Sequence, residues 1–221
     1  MKLLEELKRR VTSMQPLRRA WFTTFNLDIE FLETFVLPAT IGAEPPRNRI
    51  EFEQLQQELT DKGTDFRVFC DPRFIDTNRI KRTCIPVHAI RPDRLSGRFG
   101  ERSLFHPKVI YLEDVDGRRM IGAGSANLTL SGWGHNLEAF IFCEIKSLAN
   151  YREIRQFFGA LCDAADIPEH TKLVQRRGLS REPENWRFVH SFQAKPFAAQ
   201  LLDGASEPDI VVWSPYLPRD L

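Results

Sequence analysis

His106 and Lys108 stand two residues apart in FHPKVIYLE (residues 105–113), a spacing that on a strand puts both side chains on one face. Val109 and Tyr111 alternate with them and leave the opposite face apolar. An imidazole beside an ammonium is an unfavourable pairing for folding alone; it makes sense with an anion between the two groups. Downstream, GAGSAN (122–127) offers two small residues where a backbone can approach a ligand closely. Ser125 and Asn127 then supply a hydroxyl and an amide donor on one face. The DVDG turn (114–117) returns the second strand beside the first, so that His106, Lys108, Ser125 and Asn127 converge. Glu138 opens the next strand; a carboxylate there can accept Nδ1–H from an imidazole, fix its tautomer and raise the basicity of Nε2.

These spacings, HxK at 106–108, GSxN at 124–127 and a glutamate eleven residues after the asparagine, resemble the signature of the phospholipase D superfamily in its nuclease-like branch. The segment AWFTTFNLD (20–28) is similar to the first strand of that fold. One departure stands out: the family motif has Asp five residues after its Lys, and here Glu113 occupies that position with Asp114 beside it. The resemblance implies a two-step reaction without metal or other cofactor. His106 would attack phosphorus and form a phosphohistidine that water hydrolyses. Lys108 and Asn127 would hold the non-bridging oxygens, Ser125 would help place them, and Glu138 would orient His106. A second histidine must protonate the leaving oxygen. The complete signature occurs once, so that histidine is expected from a second copy of the chain or from a second half.

Composition narrows the partners less than the motif does. The net charge of +1 favours no polyanion, but 23 Arg against 8 Lys lean towards phosphate ligands, since guanidinium forks fit phosphate oxygens. Arg94, Arg98 and Arg102 precede the motif in RPDRLSGRFGERS (91–103) and are candidates to follow a phosphate backbone; His135, in the GWGHN loop, is a candidate substrate contact. The four cysteines form no CxxC pair and read as small apolar residues, which predicts neither disulfides nor zinc. The charged N-terminus has no apolar signal region and no apolar run approaches the roughly 20 residues of a membrane span, so a cytoplasmic protein without membrane contact is expected.

Strands alternating with helices point to an α/β fold, a mixed central sheet flanked by helices with one copy of the motif per chain. Residues 1–20 read as an N-terminal helix, 21–167 as the catalytic domain, and 168–221 as a charged connector. PDIVVWSPYL (208–217) echoes the AWFTTFNL strand, as the start of a second repeat would. Trp21 and Phe25 read as core residues. Two functions from different classes follow: a metal-independent phosphodiesterase acting on nucleic acid, DNA before RNA, or a non-catalytic subunit that binds a nucleic-acid backbone in a defence or restriction complex. A phospholipid diester is the less favoured substrate.

Overall fold

The computed structural model describes residues 1–75, 83, 85–97, 99–168, 172–173 and 179–203. Helix α1 (Lys2–Thr12) leads into strand β1 (Leu17–Thr24). A helical stretch follows, made of α2 (Ile29–Phe31), a π-helical turn (Leu32–Val36) and α3 (Leu37–Ile41). It starts where the Asp28 side chain accepts from the Phe31 amide and stops at Gly42, whose φ of 73° suits a residue without Cβ. Next come α4 (Arg49–Asp61), β2 (Asp65–Cys70), β3 (Val87–Ala89), β4 (Val109–Asp114), β5 (Arg119–Gly124) and β6 (Phe140–Glu144). The long helix α5 (Leu148–Ala164) and the short α6 (Phe197–Leu201) follow. The first helix is shorter than expected because the chain turns at Ser13 and is already extended in β1 by Leu17. The echo at 208–217 and Cys84 lie outside the described residues.

The strands form one mixed sheet in the order β3-β2-β1-β4-β5-β6. β1 runs through its middle, parallel to β2 and antiparallel to β4. Pro86 immediately precedes β3, which sits at one edge of the sheet, where a proline is tolerated. Alternation along β1 explains the layers: Ala20 and Phe22 face α1 to α4, whereas Trp21 faces α5. Trp21 there meets Phe69, Tyr111 and Phe158 with ring centroids 5.5–6.3 Å apart. Both faces of the central strands are therefore apolar, and helices cover both. Among the described residues, no helix is long and apolar enough to cross a membrane.

Glu113 ends up at the end of β4 remote from His106. Its carboxylate accepts from Arg19 Nη1 at 2.8 Å and from the Tyr111 hydroxyl at 3.3 Å, and lies 3.5 Å from Arg119 Nε. Glu113 is fully buried and both arginines are nearly so. The residue that takes the family's Asp position thus neutralises two buried guanidinium groups. Glu113→Ala should cost about 3–5 kcal/mol of stability, the usual penalty for removing one side of a buried ion pair. Chemical denaturation measures this; a loss below 1 kcal/mol would mean that water already solvates Arg19 and Arg119.

Candidate active site

Two threonines at the end of β1 place the two halves of the motif. The Thr23 hydroxyl donates to the Pro107 carbonyl at 3.0 Å and accepts from the Val109 amide at 2.8 Å. This grips the segment that carries His106 and Lys108, which precedes β4 and is not itself strand. The Thr24 hydroxyl donates to the Asn26 carbonyl at 2.7 Å and accepts from the Leu128 amide at 2.9 Å, next to Asn127. A third anchor is Asp71, fully buried after β2, which accepts from the Phe105 amide at 3.0 Å and from Arg73. Burial opposes its charge, yet these hydrogen bonds hold its carboxyl below the usual carboxylate range.

Within that frame Lys108 Nζ lies 2.9 Å from His106 Nδ1 and 3.3 Å from Nε2, and donates to the His106 carbonyl at 3.0 Å. His106 is exposed; Lys108 is only 6% exposed. No described carboxylate lies within ion-pair distance of the Lys108 ammonium. Burial therefore pulls its pKa down to about 8, with Glu138 a weaker influence in the opposite direction. His106 is also held below its ordinary value, first by burial and then by the Lys108 charge, so its ring is neutral and nucleophilic at neutral pH. Phe25, expected in the core, is half-buried and belongs to this site. Its ring lies 4.6 Å from that of His106 and 5.7 Å from Lys108 Nζ.

Asn127 Oδ1 faces three donors of the β1 end: the Asn26 amide at 3.1 Å, the Phe25 amide at 3.3 Å and the Thr24 hydroxyl at 3.4 Å. That fixes which way the amide points and leaves Nδ2 without a partner among the described residues. Gly132 is required behind it, since a Cβ there would lie 2.5 Å from the Asn127 carbonyl oxygen. Ser125 hydrogen-bonds to Glu138 through its hydroxyl, which also accepts from the Ala139 amide at 3.0 Å. Glu138 additionally accepts from Asn136 at 3.3 Å.

Several expectations change here. Glu138 bonds to Ser125 and Asn136 and makes no hydrogen bond to His106, so its hold on the imidazole is indirect. The small residues of GAGSAN make room for β6 and not for a ligand: a Cβ on Gly122 would meet the Phe142 ring at 2.6 Å, and one on Gly124 the Ala139 carbonyl. Arg94 donates to the Ala164 carbonyl at 3.1 Å and to Asp166 at 2.8 Å, so it caps the end of α5. Arg102 and His135 are exposed, and neither has a described contact with the His106 cluster; Arg98 lies outside the described residues. A further His-x-Lys spacing occurs at His170-Thr171-Lys172, with no GSxN after it. Lys172 there pairs with Asp163 at 2.5 Å, and His170 lies outside the described residues. Thr23, Thr24, Phe25 and Asp71 were the site residues that spacing missed; the TTFN run after an apolar strand start was the available signal.

No family model matches the chain, and no curated protein matches it. Solved structures similar to it include NucT from Helicobacter pylori, 11% identical over 73% of this chain and 87% of that one, with a TM-score of 0.45. Another is Nuc from Salmonella typhimurium, a phospholipase D family member, 15% identical over 73% and 86% with a TM-score of 0.44. A variant of yeast tyrosyl-DNA phosphodiesterase is 14% identical over 70% of this chain and 32% of its own, with a TM-score of 0.41.

Holding Lys108 this way weakens the fold. Its pKa falls from 10.5 to about 8, so below pH 8 the folded chain carries the full cost of the buried charge. Between about 8 and 10.5 the folded form gives up that proton before the unfolded form does, and stability rises with pH. At 1.36 kcal/mol per pH unit, less about 1 kcal/mol for the lost bond to the His106 carbonyl, Lys108→Met should stabilise the protein by ~2 kcal/mol at pH 7. The gain should shrink towards pH 10. Thermal melts across that range check it, and a Lys108→Met protein less stable than wild type at pH 7 would contradict it.

Proposed function

We propose that the chain is a metal-independent phosphodiesterase of the phospholipase D type that cuts nucleic acid, DNA in preference to RNA, through a phosphohistidine. The observation that carries this reading is the buried, unpaired Lys108 ammonium against a neutral imidazole. A diester phosphate brings one negative charge and two non-bridging oxygens. Lys108 Nζ offsets the charge on one oxygen, and the free Nδ2 of Asn127 donates to the other. Both donors are fixed before substrate arrives, which is what transition-state stabilisation needs.

In the first step the unprotonated nitrogen of His106 attacks phosphorus. A P–N bond forms, the bond to the leaving oxygen breaks, and that oxygen takes a proton. In the second step water attacks phosphorus and gives its proton to the group that protonated the leaving oxygen, the P–N bond breaks, and His106 returns with a phosphate monoester released. Ser125 and Glu138 act as a unit that positions the strand beside Lys108. The proton donor is a second histidine, and a second copy of this chain supplies it most economically. A two-fold axis beside His106 would bring both imidazoles to one phosphate. Among the described residues no helix is long and apolar enough to cross a membrane, and on this reading the nuclease is cytoplasmic.

Quenching turnover of labelled DNA in EDTA should trap an acid-labile label on wild-type protein and none on His106→Ala, whose turnover should fall a hundredfold or more. Equal mixing of the two chains should leave about one quarter of wild-type activity, because only wild-type pairs keep two histidines per site. One half of the activity, from protein that sediments as a monomer, would rule out the shared site.

A further inference from the structure

A cavity of about 570 Å³ opens directly beside His106, and none of the phosphate chemistry uses it. His106 and Pro107 form part of its wall. Six phenylalanines line it among aliphatic neighbours such as Leu95, together with Arg187 and Ser191: Phe99 and Phe105 from the chain before His106, Phe157 from α5, and Phe188, Phe192 and Phe197 from the segment after α5. Phe157 and Phe192 lie parallel, with centroids 5.0 Å and planes 4° apart, while Phe99 meets Phe192 edge-on at 6.2 Å. Phe197 stands at 45% exposure. A cavity of this size falls in the range that holds small planar ligands.

One buried polar group, His190, belongs to the wall. His190 is 5% exposed and its Nδ1 accepts from the Phe192 amide at 3.3 Å, which puts the ring proton on Nε2. Nε2 is buried and has no hydrogen-bond partner among the described residues; the Glu153 carboxylate, at 4.0 Å, is too far to accept. Burial lowers the pKa of this ring to about 4, so it is a neutral donor at working pH. His190 Nε2 has almost no accessible surface, so it lies behind the rings, and the cavity presents mainly flat apolar faces to whatever enters. A nucleobase has flat faces that stack on such rings, and it is joined through its sugar to the phosphate that His106 would attack.

We infer that this cavity receives one unstacked nucleobase of the strand whose phosphate lies at His106. The inference rests on the nuclease reading and deepens it: a base that is paired and stacked in a duplex cannot enter, so the substrate is a single strand or a duplex with one base extruded. Base–aromatic stacking is tolerant of sequence, so the cavity selects for an unpaired base and not for its identity.

A dinucleoside monophosphate has a single diester and tests this directly, against analogues in which either base is replaced by hydrogen. Wild-type kcat/KM should fall about tenfold or more when the base on one particular side is removed, the size of one stacking contact, and little when the other is removed. Phe99→Ala and Phe197→Ala should lower kcat/KM for the intact compound and bring the intact-to-baseless ratio close to one. Both side chains are partly exposed, and thermal melts verify that the variants fold. Equal rates on intact and baseless compounds, or variants that keep the wild-type ratio, would overturn the cavity's role while leaving the nuclease reading standing. Failure to cut any of these compounds or single-stranded DNA, by wild-type protein, would overturn the nuclease reading and this inference together.

Discussion

A buried ammonium without a carboxylate partner among the described residues is the constraint around which this fold is arranged. Elsewhere the protein neutralises its buried cations: Arg19 and Arg119 share Glu113, and Arg67 pairs with Asp65 at 2.7 Å. Lys108 alone among these has ring nitrogens and a carbonyl oxygen as its nearest polar neighbours. Desolvating a charge without a counter-ion costs several kcal/mol, and such sites persist where a ligand supplies the missing charge. The remaining structure absorbs that cost. Two packed aromatic and aliphatic cores, one on each face of the sheet, provide the stability, and the anchors at Thr23, Thr24 and Asp71 keep Lys108 from relaxing towards solvent.

The anchors also explain how one strand organises two distant pieces of sequence. β1 lies between β2 and β4, so its end sits beside the ends of both. Thr23 reaches the His106–Lys108 segment, and Thr24 reaches the backbone beside Asn127. Neighbouring residues on a strand project to opposite sides, so consecutive threonines can serve two segments at once. The hydroxyls act as both donor and acceptor, which satisfies backbone groups that the sheet ladder leaves open at its margin.

Much of this was legible in the sequence, for physical reasons that differ by residue. The strands and long helices have apolar periodicities that read directly, and the hairpin is marked by its Gly117 turn, with φ of 86°. His106, Lys108, Ser125 and Asn127 were legible because each pair is separated by two residues. Thr23, Thr24 and Asp71 were not, since their bonds to the site span 34 to 104 residues. Phe25 had the look of core because an aromatic residue after an apolar strand is commonly buried, whereas here the strand has ended and the ring turns to the imidazole. Arg94 shows the converse: an arginine in a polar loop reads as a phosphate ligand, while in the fold its Nη1 is used at a helix end 70 residues away. The aromatic cavity was invisible for the same reason, being assembled from Phe99, α5 and the segment after it.

The proposed anion site at Lys108 and His106 is tested by the titration of Lys108 itself. Selective labelling of the lysine side chains allows the Lys108 signal to be followed by NMR across pH 6 to 11, first in the free protein and then with tungstate or a non-hydrolysable phosphodiester. The midpoint should lie near 8 in the free protein and rise clearly when the anion binds, because the anion supplies the missing charge. A Lys108 that titrates at its ordinary value in the free protein, with no movement on adding either anion, would contradict it.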